Sequence, residues 1–154
     1  MSDSPRAAVQ PAPQPQRLRR LPSWLVNQVA LRATRLTASM LGSTVLRSDF
    51  AVLAGLEEFG PLSQAELGRR LGMDRSDIVA VLDRLQAGEC VERTADSLDR
   101  RRKTVALTDV GRSYLNDLDA QLGQVQDALL EPLTAPERAQ LMALLGQVLD
   151  KHSN

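Results

Sequence analysis

Apolar positions recur at helical spacing along most of the chain, and in one stretch the spacing changes. Leu25, Val29, Leu36 and Met40, with Ala30 and Ala33 between them, predict a first helix over 23–46 with Ser23 as its N-cap. A shorter helix follows over 48–59 and is stopped by Gly60-Pro61. Ser63-Gln64-Ala65-Glu66 reads as a capping box, with Leu62 and Leu67 at the staple positions, and opens a helix that runs to Leu71 and ends at Gly72. Asp74-Arg75-Ser76-Asp77 offers another cap, with Met73 and Ile78 as its staple. The helix behind it carries Ile78, Val81, Leu82 and Leu85, an i, i+3, i+4, i+7 stripe. Two capped helices joined by a short turn containing glycine form a helix-turn-helix pattern.

Beyond that pair the period shortens. Residues 90–94 and 103–107 are brief runs of β-compatible residues with Val91, Val105 and Leu107 as apolar members, and residues 95–102 lie between them. This is a β-hairpin directly after a helix-turn-helix. Thr108 then caps a long helix through Tyr114, Leu115, Leu118, Leu122, Val125 and Leu129, which Pro132 breaks. Thr134-Ala135-Pro136-Glu137 is a further capping box, and the last helix carries Leu141, Leu144, Leu145, Val148 and Leu149. The expected fold class is mainly α with a small β-hairpin wing, a winged helix-turn-helix flanked by N- and C-terminal helices. There is no internal repeat.

Composition changes this picture in three places. Residues 1–22 hold five of the eight prolines and too little apolar surface to offset ordering entropy, which predicts a disordered tail. No uncharged apolar run approaches the roughly 18 residues of a membrane span. A single cysteine, Cys90, leaves no internal disulfide, and with one histidine, His152, far away it leaves no zinc site; both points favour a cytoplasmic protein without a metal. Enzyme signatures are also missing. There is no phosphate-binding glycine loop, no metal-ligand cluster, and no serine or cysteine nucleophile with a histidine near it, so neither catalysis nor a cofactor is expected.

Charge gives the hairpin its chemistry. The chain balances 19 basic against 19 acidic residues. Between Arg93 and Lys103, however, five cations face only Asp96 and Asp99, whereas residues 109–151 carry seven acids and three bases. A cationic hairpin beside a recognition helix suits a duplex: the major groove admits a helix and displays each base pair distinctly, and the narrow minor groove concentrates negative potential that attracts arginine. In the run Arg100, Arg101, Arg102 and Lys103, Asp99 is placed to orient one arginine by charge-assisted hydrogen bonds while the other cations meet phosphate. With the apolar stripe inward, the wheel turns Ser76, Ala80 and Asp83 out, with Asp77, Val79 and Arg84 on the flanks. Ser76 and Asp77 suit base edges and Val79 and Ala80 thymine methyl groups, whereas Arg75 and Arg84 suit phosphates. Ser63 and Gln64 head the preceding helix, whose backbone N–H groups suit a phosphate.

The segments "LSQAELGRRLGMDRS", "LDRL", "VER", "DRRRK" and "LTDVGR", in this order, resemble the core of the MarR (multiple antibiotic resistance regulator) family. The resemblance implies one domain over 23–154, with 23–47 and 109–150 as dimerisation helices around a winged helix-turn-helix at 48–108. It also implies a homodimeric, often ligand-controlled repressor on a pseudo-palindromic operator, with double-stranded DNA as partner and a small-molecule effector, and it points to Arg100, oriented by Asp99, as the arginine in the minor groove, with Arg101, Arg102 and Lys103 on the backbone. The sequence departs from the family pattern in three places. Leu98 stands where a further wing arginine is common, Glu89 where glycine is usual, and Asp77, Val79 and Ala80 where threonine and a basic residue commonly read bases.

Some residues keep two readings. Cys90 fits a buried structural thiol better than a redox sensor. Trp24 is either a packing aromatic of the dimer or, with Arg47 and Asp49, part of an effector pocket. A winged helix used as a protein-interaction module, or one that binds DNA with little sequence preference, is the alternative to a sequence-specific regulator. Protein interfaces deplete lysine and favour aromatics, which counts against the first.

Overall fold

The computed structural model describes residues 14–42, 45–95 and 103–152. Contacts divide the chain into two compact units, one up to Arg32 and one from Ala33 onward. In the first, α1 (Gln16–Arg19) is a single turn closed by bonds from the Leu18 and Arg19 N–H groups to the Pro15 carbonyl, and α2 (Pro22–Leu41) begins. Helix therefore enters the segment expected to be an unstructured tail, of which residues 1–13 lie outside the described residues. Ser23 is inside α2 rather than its cap, because Pro22 takes the first helical position, where its fixed φ is already helical and its missing N–H costs nothing. Leu25, Val26, Val29 and Leu31 are exposed.

The helix expected over 23–46 is in fact two pieces. α2 ends at Leu41, where Gly42 takes a φ of 69°, a conformation open to glycine at little cost, and α3 (Val45–Phe59) starts again three residues later.

The second unit is a winged helix. α3 lies against α4 (Gln64–Leu71), α5 (Arg75–Ala87) and α6 (Asp109–Leu129). Val52, Leu53 and Leu56 of α3, Leu67 of α4 and Leu115 and Leu118 of α6 are buried together with the whole stripe Ile78, Val81, Leu82 and Leu85 of α5. Leu62 and Met73, the outer residues of the two predicted staples, pack on this core. β2 (Val91–Ala95) and β3 (Lys103–Leu107) pair antiparallel, with Val91 opposite Leu107 and Ala95 opposite Lys103. β1 (Leu62–Ser63) adds a third strand on the other edge of β3, Leu62 opposite Val105. Two residues are too few to show an alternation, and this strand is not predicted from the sequence.

The wing is tied to α6 at one point. Thr108 caps α6 by accepting from the Gly111 N–H at 3.0 Å, while its own hydroxyl donates to the Glu89 carbonyl at 2.7 Å and its N–H to the Cys90 carbonyl at 3.1 Å. Glu89 makes this junction at a φ of 58°, a conformation that glycine adopts freely and a side chain does not. α7 (Ala135–Lys151) starts in the predicted capping box: the Thr134 N–H and hydroxyl both donate to Glu137 Oε2, at 2.8 and 2.7 Å. These bonds hold the Glu137 carboxyl below its ordinary range. α7 buries none of its residues, and Met142, Leu144, Val148 and Leu149 all stand exposed.

Candidate nucleic-acid interface

A cleft of about 1080 Å³ opens where the N-terminal ends of α4 and α5 meet the start of β3. Ser63, Gln64, Glu66, Arg69, Arg75 and Lys103 line it. Four of these six, Ser63, Gln64, Arg75 and Lys103, are sequence-predicted DNA contacts that belong to four elements, β1, α4, α5 and β3. The β1–β3 register brings the head of α4 and the base of the wing together: Ser63 lies opposite Thr104 in the sheet. Three cations and one acid line the cleft among the described residues, which makes it a net positive concavity between helix ends.

The reading face of α5 adjoins the cleft. Arg75, Ser76, Asp77 and Ala80 are exposed and Val79 is half-buried, as expected of a helix whose opposite face is core. Asp74 occupies the N-cap position of α5 with extended backbone angles but makes no side-chain cap bond. The wing residues Asp99, Arg100, Arg101 and Arg102 lie outside the described residues, and Lys103 is exposed at the first position of β3.

Ion pairs engage three of the predicted residues. Arg84 is not a free phosphate ligand: its guanidinium pairs with the Asp49 carboxylate, including an Nε–Oδ1 bond of 3.2 Å, and reaches Ser48 Oγ at 3.5 Å. Asp49, expected in an effector pocket, is buried within this unit, where its other oxygen accepts from the Tyr114 hydroxyl at 3.3 Å. A charge from α5, an acid from α3 and a phenol from α6 therefore satisfy one another, as a buried carboxylate requires. Burial, followed by the nearby Asp49 charge, pushes the Tyr114 phenol up from its usual value. Asp83 is exposed, as expected, and pairs with Arg93 of β2 at 2.7 Å, which ties the recognition helix to the wing.

Trp24 belongs to the first unit and is half-buried there, while Arg47 donates to Thr34 Oγ1 at 3.1 Å in the second. Cys90 is buried, its thiol donating to the Gly88 carbonyl at 3.4 Å, and burial together with Asp49 raises its pKa. A thiol so placed stays protonated, which fits a structural residue. Among the described residues no group of three or more His, Cys, Asp or Glu side chains is placed to hold a metal, and no helix is long and apolar enough to cross a membrane.

Residues 43–102, which contain the helix-turn-helix and most of the wing, match the profile of the MarR family. Over 106 residues the chain is 33% identical to the HTH-type transcriptional repressor NicR of Pseudomonas putida, a match covering 69% of this chain and 67% of NicR. The chain belongs to the MarR family. Two solved MarR-like regulators share its winged-helix fold. One is the PcaV transcriptional regulator of Streptomyces coelicolor in complex with its natural ligand, at 29% identity and a TM-score of 0.73, covering 94% of this chain and 98% of PcaV. The other is the transcriptional repressor CouR bound to a 23-mer DNA duplex, at 27% identity and a TM-score of 0.75, covering 85% of this chain and 94% of CouR. As a MarR-family protein, the chain is a DNA-binding transcription regulator.

Proposed function

We propose that this MarR-family chain is a ligand-responsive, cytoplasmic repressor without enzymatic activity, acting as a homodimer on a pseudo-palindromic operator. The observation that carries the DNA side is the cleft, where the heads of α4 and α5 and the base of the wing converge on one cationic concavity. In this reading the first two turns of α5 enter the major groove, with Ser76 and Asp77 at base edges and Val79 and Ala80 against thymine methyls. Arg75, Lys103 and the α4 head hold phosphates. Asp99 orients Arg100 into the minor groove, and Arg101 and Arg102 meet the backbone.

The homodimer is supported by the apolar residues exposed on α2 and α7. A second copy is the simplest cover for them, and two-fold pairing sets two half-sites about one helical turn apart. Effector control is supported by the ligand complex of PcaV. Here Arg47 and Asp49, both of the second unit, are the candidate effector contacts, with Asp49 also bound to Arg84 of the recognition helix.

Fluorescence anisotropy of the purified protein, against duplex DNA from upstream of its own coding sequence and a scrambled duplex, tests this across a salt series. Tighter binding to the native duplex at physiological salt is expected, and Arg100→Ala should weaken it by about 1–3 kcal/mol. Equal binding to both duplexes that vanishes with salt would contradict a sequence-specific repressor.

A further inference from the structure

The capping box at the head of α4 is only half made, and the other half points to a role for Glu66. Ser63 Oγ accepts from the Glu66 N–H at 3.2 Å, as a cap should. In a complete box the Glu66 carboxylate would return to the backbone of Ser63. Instead it faces the other way and takes three bonds from two arginines: Arg69 Nε at 3.0 Å and Arg69 Nη2 at 2.7 Å in a bidentate fork, and Arg70 Nε at 2.7 Å. The two arginines differ in what else holds them. Arg70 stacks over the Phe59 ring, 4.5 Å from its centroid, and is not in the cleft wall. Arg69 lines the cleft with a side chain 71% exposed, and Glu66 is the one acid in the described wall beside Arg69, Arg75 and Lys103.

We propose that Glu66 is an internal counter-ion that holds Arg69 out of phosphate contact, setting how strongly the cleft binds any duplex and leaving discrimination to the reading helix and the wing. The inference rests on the cleft being the DNA surface. A cation contributes to duplex binding by releasing the counter-ions condensed on phosphate, one increment per phosphate neutralised. Arg69 already has its charge met by a carboxylate in the matching fork geometry, so phosphate gains little from it. Hydrogen bonds from Arg69 and then Arg70 hold the Glu66 carboxyl down at about 2, so this counter-ion stays charged at any pH at which the fold operates. An exposed pair of this kind adds little to stability, and Ser63 caps the backbone N–H of residue 66 whatever its side chain, so the variant keeps its fold.

The test is the slope of log affinity against log salt for a scrambled duplex, with helix content and melting temperature as fold controls. Glu66→Gln should steepen the slope by about 0.9, an extra factor of about 3.5 in affinity lost between 50 and 200 mM salt. Arg69→Gln alone should leave the wild-type slope unchanged, and Glu66→Gln/Arg69→Gln should restore it. An unchanged slope in Glu66→Gln, or a slope flattened by Arg69→Gln alone, would overturn the proposal. Arg75→Gln separates the two levels. If it flattens the slope while Glu66→Gln does nothing, the counter-ion fails and the cleft stands. If neither changes it, the cleft is not the DNA surface and both readings fall.

Discussion

Replacing Gly111 by alanine tests how the wing is joined to the rest of the protein. A Cβ at this position would lie 2.0 Å from the Cys90 carbonyl oxygen and 2.8 Å from both the Cys90 carbonyl carbon and Leu107 Cδ1. A close carbon–oxygen contact is about 3.3 Å, so the first turn of α6 has to retreat by more than about 1 Å, and the atom in its path is backbone that cannot swing aside. The retreat strains the bonds that Thr108 makes to the carbonyls of Glu89 and Cys90. Overpacking costs about 1–3 kcal/mol and each lost hydrogen bond about 1 kcal/mol, while alanine returns about 1 kcal/mol of helix propensity. The expected net loss is about 2–4 kcal/mol, read as a lower urea midpoint at unchanged m-value. Gly123 of the same helix meets nothing within 4 Å, so Gly123→Ala is the control and should gain about 0.5–1 kcal/mol. A Gly111→Ala variant as stable as wild type would refute the junction.

Glu89→Gly relieves the positive φ without disturbing the carbonyl that Thr108 uses, and should stabilise the fold by about 1 kcal/mol, read as a higher urea midpoint, whereas Glu89→Val should lower the midpoint. Tyr114 is the only tyrosine, so phenolate absorbance titrates this one group. Its folded midpoint should lie above the ordinary value of 10, since burial and Asp49 both oppose the phenolate. With the folded pKa above the unfolded one, the associated stability is full below pH 10 and is lost as pH rises through the folded pKa. Asp49→Asn should lower the midpoint, and an unchanged midpoint in that variant would show that Asp49 does not face the ring.

Local signals carry what the sequence reveals well. The α5 stripe, the Thr108 cap and the Thr134–Glu137 box each depend on residues within a turn or two of one another, and the structure contains all of them. The long-range pairs were not legible. Arg84 and Asp49 stand 35 residues apart, and nothing in either neighbourhood indicates that one will bury its charge against the other. The pairing of Asp83 with Arg93 also depends on how the wing folds back on α5. Gly42 was a readable stop that the apolar spacing on either side obscured. For Glu66 two local rules competed, a cap three residues back and arginines three and four residues ahead, and the arginines won because a charged, bidentate partner outbids a neutral amide. Of the candidate site, Ser63, Gln64, Arg75 and Lys103 were found from sequence, and Arg69 was not, because only the sheet register shows which face of α4 meets the wing.

Amide hydrogen exchange of the protein with and without bound duplex tests the central claim most directly, that DNA docks where α4, α5 and β3 converge. Protection should rise at residues 63–66, over the first two turns of α5 and at the start of β3, and α7 should be unchanged. Protection confined to α2 or α7, or absent from the heads of α4 and α5, would contradict it.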